Sequence, residues 1–324
     1  MNKTILVTGG AGFIGSHLCK ALLNEGNKVI CLDNFFTGNI KNIANLKYNP
    51  NFKVVPHDIT KSLIGVINDH VDEIYNLACP ASPIHYQFDA IETIKASTIG
   101  IINVLDFAKL NGAKILQTST SEIYGDPHVH PQIEGYRGNV NTLGPRACYD
   151  EGKRVSETLM MDYHRKFGLN IKIVRIFNTY GPNMDINDGR VVSNFVISAL
   201  TKKPITIYGD GNQTRSFCYV SDTVEAIIKV MDSNYIGPFN VGNPDERTIR
   251  SMAESIKKMT NSNVKLITKN LPEDDPTRRN PDISLIKNKI GWVPKVSFEN
   301  GLKQTIMYFE KIVNSRKRLN TSKL

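Results

Sequence analysis

Apolar residues follow two rhythms along this chain. The unbroken run Ile5-Leu6-Val7 reads as a buried strand, and the stretches 28–32, 52–56, 73–78, 114–119 and 171–176 read as further strands. Between them, apolar positions recur at helical spacing. Leu18, Ala21 and Leu22 form one set, and 93–110 carries Ile94, Ser97, Ile101, Val104, Leu105 and Ala108 on one side. A long helix is expected over 145–167. Strands and helices in turn predict an α/β fold with a doubly wound parallel sheet, whose ligands bind at the strands' carboxyl ends. After Gly181 the rhythm changes. Helices are expected over 191–200, 222–231, 248–259 and 298–312, short strands over 205–209 and 238–242, and a polar loop over 271–281. The division predicted is a nucleotide-binding domain over 1–182 with returns near 218–242. A smaller C-terminal substrate-binding lobe covers 183–217 and 243–312, and a basic tail 313–324.

The first strand runs into T-G-G-A-G-F-I-G, with glycines at Gly9, Gly12 and Gly15 and a helix after them. Strand, glycine turn and helix in that order make a Rossmann-type pyrophosphate site, because glycine lets a phosphate approach the N–H groups at the helix start. The spacing is G-x-x-G-x-x-G. The second strand ends at Asp33, roughly 20 residues on, where a carboxylate accepts hydrogen bonds from an adenosine ribose. An acidic residue there favours NAD over NADP, since it repels a 2′-phosphate.

Composition narrows the function classes. A chain of 324 residues with 40% apolar and 22% charged residues is ordinary for a soluble globular protein. No run reaches the roughly 18 apolar residues that span a bilayer, and no leader is expected ahead of the strand at Ile5. Membrane binding is not expected. The net charge of +9 is spread out, its densest run being Arg316-Lys317-Arg318, so nucleic-acid binding is not expected either. Cys19, Cys31, Cys79, Cys148 and Cys218 have no metal-ligand spacing and read as reduced thiols of a cytoplasmic protein. No metal site is expected. His57, His85, His128 and His130 read as loop residues, and Met160 and Met161 as core or dimer contacts.

Tyr149 and Lys153 lie four apart on one expected helix and share a face. A neighbouring ammonium stabilises phenolate, which would make Tyr149 a usable base. The strand that ends in Thr118, Ser119, Thr120, Ser121 and Glu122 offers a run of hydroxyls suited to a sugar. A nicotinamide site beside them can oxidise or reduce a carbinol carbon.

These segments together resemble the extended short-chain dehydrogenase/reductase family, which acts on nucleotide sugars. L-A-C-P-A-S-P (77–83), H-V-H-P-Q (128–132), G-P-R-A-C-Y-D-E-G-K-R (144–154), R-I-F-N-T-Y-G-P (175–182), N-D-G-R-V-V-S-N-F (187–195) and G-N-Q-T-R-S-F (211–217) resemble the branch that decarboxylates UDP-glucuronate. The resemblance implies a carboxy-lyase that makes UDP-xylose and carbon dioxide by C4 oxidation, decarboxylation and re-reduction with tightly bound NAD. It implies that Tyr149 is the base at the C4 hydroxyl, that Lys153 binds the nicotinamide ribose, that Thr120 or Ser121 bonds O4, and that Glu122 acts near C5. Arg279 would face the sugar carboxylate or take part in proton transfer. The implied cofactor set is Gly9, Gly12, Phe13, Ile14, Gly15, Asp33, Asn34, Asp58, Ile59 and Leu77, with Tyr149 and Lys153. The implied substrate set is Tyr86, Asn178, Arg190, Val192, Tyr208, Gln213, Arg215 and Arg279. Helices 93–110 and 145–167 resemble the family's dimer bundle, which implies a homodimer. Cys79 stands where related sequences often carry serine, and Asn280 where lysine is common. Competing readings are a UDP-sugar 4-epimerase, a nucleotide-sugar 4,6-dehydratase, and a non-enzymatic NAD sensor. Ser121 argues against the dehydratase, and intact Tyr149 and Lys153 against the sensor.

Overall fold

The computed structural model describes residues 2–271, 276 and 278–321, with side chains as far as Arg316. Its centre is a seven-stranded parallel sheet. Six strands come from the first half: β1 (Thr4–Thr8), β2 (Lys28–Asp33), β3 (Phe52–Pro56), β4 (Glu73–Asn76), β5 (Lys114–Thr120) and β6 (Ile171–Ile176). The seventh is Phe239–Val241, and the order across the sheet is Phe239–Val241, β6, β5, β4, β1, β2, β3. The chain reverses its direction of growth beside β1, which lies between β2 and β4. Loops part at that switch point and leave a crevice over the carboxyl ends.

Side chains alternate across the sheet. Ile5 and Val7 join the core on the face covered by α1 (Phe13–Asn24) and the helix Val220–Asp232. Leu6 points the other way, into a core with Ile74, Ile115, Val104 and Leu105. A third cluster joins Tyr180, Phe195, Ile207, Met252 and Phe309 beyond the sheet. The two-stranded ribbon of Ile205–Tyr208 with Leu266–Lys269 lies in this part of the chain.

Several elements differ from their sequence reading. The helix expected over 93–110 is three pieces, following a short helix α2 (Pro83–Phe88). They are α3 (Ala90–Lys95), a π-helical turn Ala96–Gly100, and α4 (Ile101–Asn111). The break has local causes. Ser156 Oγ donates to the Ser97 carbonyl at 2.7 Å, and Thr98 Oγ1 donates back to Ile94 O at 2.7 Å. Gly100 sits so close to Ile59 that a Cβ would meet its Cδ1 at 2.6 Å. The next helix, α5, begins at Ala147 and runs to Phe167. The final helix passes the expected stop at Ile312 and continues to Thr321, so most of the supposed 313–324 tail is helical and 322–324 lie outside the described residues. Buried Leu302, Ile306, Phe309 and Val313 keep one stripe running past the predicted end. Within the expected loop 271–281, Arg278–Arg279 forms a strand parallel to Thr214–Ser216, while 272–275 and 277 lie outside the described residues.

Leu105 is fully buried between α4 and the sheet. Leu105→Ala should cost about 2–5 kcal/mol of unfolding free energy. Urea unfolding followed by circular dichroism measures this; a loss near zero would contradict the assigned packing.

Candidate active site

The carboxyl ends of the strands open into a cleft of about 1100 Å³. Gly9, Gly12, Phe13, Ile14, Gly15, Asp33, Asn34, Asp58, Ile59 and Leu77 line it. So do Thr120, Ser121, Glu122, Tyr149, Lys153 and Tyr86, and Asn178, Arg190, Val192, Tyr208, Gln213 and Arg215. Arg279 does not.

The glycine turn is built so that only glycine fits. Gly9 has φ +68°, and a Cβ on Gly15 would lie 2.1 Å from the Gly9 carbonyl oxygen. Gly12 caps α1, whose first turn has neither an acidic residue nor a capping side chain. Its free N–H groups therefore suit an anion. Asp33 is buried at the end of β2, with Oδ2 accepting from Ala11 N at 2.9 Å and Oδ1 from Phe35 N at 2.8 Å. Burial lifts its carboxyl above the usual range, against the pull of those N–H donors. The carboxylate also feels the Gly12 N–H and lies on the cleft wall, where a ribose hydroxyl would meet it. Asn34 Nδ2 donates to Asp58 Oδ2 at 2.8 Å and steadies the neighbouring strand end. Phosphate donors at one strand and ribose acceptors at the next fit a dinucleotide.

Tyr149 is buried on α5 and stacks on Tyr86, with ring centroids 5.0 Å apart and planes 4° from parallel. The Tyr86 hydroxyl is buried without a hydrogen-bond partner among the described residues. Lys153, one turn on from Tyr149, donates from Nζ to Thr118 O at 2.9 Å and lies 5.8 Å from the Tyr149 ring centroid. Burial pushes the phenol up, Cys79 adds to that, and a hydrogen bond with Thr120 opposes it. Burial likewise pulls Lys153 down. The hydroxyl run is also less available than its sequence suggests. Thr118 Oγ1 donates to Asn76 O at 2.9 Å and Ser119 Oγ to Glu157, which leaves Thr120 and Ser121 for a ligand.

Glu122 is the centre of a charge cluster. Its Oε2 accepts from Arg146 Nη2 and, at 3.3 Å, from Arg279 Nη2. Burial opposes ionisation, but Arg279 and then Arg146 hold this carboxyl down to about 2. Arg279, only 1% exposed, also donates to Gly125 O at 3.0 Å. Its Nε and Nη1 are buried without a hydrogen-bond partner among the described residues, so this structure pairs it with Glu122 rather than placing it on the cleft wall. Arg146 also lines the cleft wall, beside Arg190 and Arg215, and the sequence reading missed it. Its signal was the i, i+4 spacing to Asp150 across Tyr149, with 4.0 Å between Arg146 Nε and Asp150 Oδ2. Among the outer residues, Arg190 is clamped to Asp188 through Nε and Nη2, and Gln213 Nε2 donates to Tyr208 O at 2.6 Å.

Comparison with known proteins places this geometry. The family model described as GDP-mannose 4,6 dehydratase matches residues 6–305. UDP-glucuronic acid decarboxylase 6 of Arabidopsis thaliana is 54% identical over 303 residues, covering 93% of this chain and 87% of that protein. UDP-glucuronic acid decarboxylase 1 of Xenopus tropicalis is 49% identical, covering 95% and 73%. Among solved structures, the UDP-glucuronic acid 4-epimerase of Bacillus cereus, in complex with UDP-glucuronic acid and NAD, superposes with a TM-score of 0.87. It is 28% identical, and the match covers 95% of this chain and 99% of that one.

Removing one cation should release Glu122. In Arg279→Ala its carboxyl should rise from about 2 toward its ordinary value of 4.5. Carbon-13 carboxyl titration reads this directly; an unmoved pKa would remove Arg279 from the cluster's electrostatics.

Proposed function

The chain belongs to the UDP-glucuronic acid decarboxylases, within the wider family of the GDP-mannose 4,6 dehydratase model, and from that premise we infer that it converts UDP-glucuronate to UDP-xylose and carbon dioxide. The observation that carries the reading is Glu122, held ionised among arginines on the wall that also carries Tyr149 and Lys153. Oxidising C4 makes a β-keto acid, which loses carbon dioxide because the electrons move into an enolate. Protonation at C5 and reduction at C4 complete the cycle with no net redox change.

NAD is the cofactor the glycine turn and Asp33 would hold, and when bound it supplies reversible two-electron oxidation at C4. Lys153 would bind its nicotinamide ribose. Tyr149 would take the C4 hydroxyl proton and later return it, while Thr120 would hydrogen-bond O4. Arg146 and Arg215, both on the cleft wall around Glu122, supply positive charge for the substrate carboxylate. Tyr208, Gln213, Asn178 and Arg190 would bind uracil and diphosphate. Residues 1–182, with the returns near 218–242, would form the cofactor part, and 183–217 with 243–312 the sugar-nucleotide part. The unpaired cysteines support a cytoplasmic setting. Among the described residues no helix is long and apolar enough to cross a membrane. The epimerase reading is weaker, since the solved epimerases named with UDP-glucuronic acid share about half the identity of the decarboxylases.

A homodimer is the reading supported by the surface of α2, α3, the π-helical turn and α4. Phe88, Ile91, Ile94, Ile99 and Ile102 are exposed there, with Val155 exposed on α5. Such a patch suits a second copy of the same helices. Ile91→Glu should shift light scattering from dimer to monomer mass; a wild-type chain that is already monomeric would contradict it.

Turnover of UDP-glucuronate with carbon dioxide release, and little of UDP-glucose, is expected by product mass. Tyr149→Phe keeps the ring and its stacking and should lose about 10²–10⁴ in turnover with little change in sugar binding. Efficient conversion of UDP-glucose to UDP-galactose, with UDP-glucuronate untouched, would overturn the assignment.

A further inference from the structure

On the reading above, the hydride taken from C4 returns to C4 in the same turnover. If the reduced dinucleotide left between the two transfers, the sugar would be stranded as a decarboxylated ketone. The products would then be carbon dioxide, NADH and a UDP-4-keto-pentose, with one NAD consumed as the oxidant. If it stays, the hydride goes back and the net reaction is redox neutral. Holding the cofactor is therefore part of the chemistry.

The segment 182–190 is placed to do this. Asn183, Asp185, Asp188 and Arg190 line the same cleft as Gly12, Phe13 and Gly15. Three contacts tie the segment to the first turn of α1. His17 Nε2 lies 2.9 Å from the Pro182 carbonyl, which can only accept, so the ring N–H donates. Asn183 Nδ2 donates to Ser16 Oγ at 3.0 Å, and Ser16 Oγ donates in turn to Phe13 O at 2.9 Å. The Arg190 guanidinium carbon stands 6.0 Å from the centroid of the Phe13 ring. Met184, 2% exposed, pins the segment into the third core cluster, against which Phe13 also packs. The helix start that would meet the cofactor's pyrophosphate and the wall that would meet the sugar nucleotide are thus one packed unit.

Asn183 is the hinge of that unit. Its φ is +70°, a left-handed conformation that glycine and asparagine adopt more readily than other residues. The chain turns there, and the amide reaches back to Ser16, which is 3% exposed. The bond lies away from bulk water at the Ser16 end, where a chain of two hydrogen bonds holds more firmly than at the surface.

We propose that Asn183 is a positioning residue that latches the 182–190 wall to α1 through Ser16, so that NAD stays bound between oxidation and reduction at C4. It acts through the wall it fixes. Breaking the latch raises the rate of cofactor release and, with it, the share of turnovers that end as the ketone.

The first test needs no turnover. The full chain is loaded with NAD, free cofactor is removed by rapid gel filtration, and the NAD still bound is followed over time. Asn183→Gly keeps the backbone conformation and removes only the amide, while Ser16→Ala removes the acceptor from the other side. Each should release NAD roughly 3- to 10-fold faster than wild type, the effect of losing a hydrogen bond. The double variant should release it no faster than Ser16→Ala alone, because both substitutions take out the same bond. With UDP-glucuronate, Asn183→Gly should yield more free NADH and a higher ratio of UDP-4-keto-pentose to UDP-xylose by mass, at equal carbon dioxide. A thermal midpoint lowered in Asn183→Gly while NAD release and product ratio stay at wild-type values would reduce the contact to a brace of the fold and overturn the proposal. A double variant that loses NAD several-fold faster than Ser16→Ala would overturn it too, and either result would leave decarboxylation intact. A wild type that holds NAD yet releases no carbon dioxide from UDP-glucuronate would overturn the function on which the proposal rests.

Discussion

A carboxylate kept ionised away from bulk water needs cations in contact with it, and Glu122 receives them from two directions. Arg146 comes from the start of α5, close to Tyr149, and Arg279 from a short strand far along the chain. That strand is in register with Thr214–Ser216, so Arg279 pairs opposite Arg215, whose charge also reaches Glu122. One acidic side chain at the end of β5 thereby ties together the sheet, the Tyr149 helix and the late segment. Taking away one partner would leave the carboxylate to the other cations and weaken its hold on the ionised form. The arrangement also leaves positive charge on the cleft wall where an anionic sugar is to be bound and stripped of its carboxylate.

The rest of the site depends on where the sheet reverses. With β1 between β2 and β4, the glycine turn, Asp33 and Leu77 converge from three adjacent strand ends. A buried polar ladder of Thr8, Asn76 and Gln117 runs across β1, β4 and β5 beneath them, and Asn76 Nδ2 donates to Gln117 Oε1 at 2.7 Å. Such fully paired groups fix the lateral register of the strands that carry the chemistry. Tyr149, Lys153 and Thr120 therefore hang from rigid elements rather than from loops.

Much of this was legible in the chain. The buried strands, the glycine turn and the Tyr149–Lys153 pair depend on local spacing, and local spacing is written in sequence. What escaped was set by contacts between distant segments. The break within 93–110 comes from Ser156 pulling on the Ser97 carbonyl and from Ile59 against Gly100, neither visible from the apolar period. The burial of Arg279 arises from a strand of two residues, too short to carry a pattern. The hydroxyls of Thr118 and Ser119 looked free for a sugar because their partners, Asn76 and Glu157, lie on other elements. Arg146 and Asp150 sat in plain view on either side of Tyr149. Only folding, which brings Glu122 against Arg146, gives that arginine a chemical meaning.

On this mechanism C4 is oxidised and reduced within one bound complex while C5 loses its carboxylate. UDP-glucuronate labelled with deuterium at C4 tests both halves in one product. Carbon dioxide should be released, and the UDP-xylose should still carry the deuterium on C4 after full turnover. Labelled UDP-glucuronate recovered with its carboxylate intact, or UDP-xylose whose C4 deuterium has washed out to solvent, would contradict it.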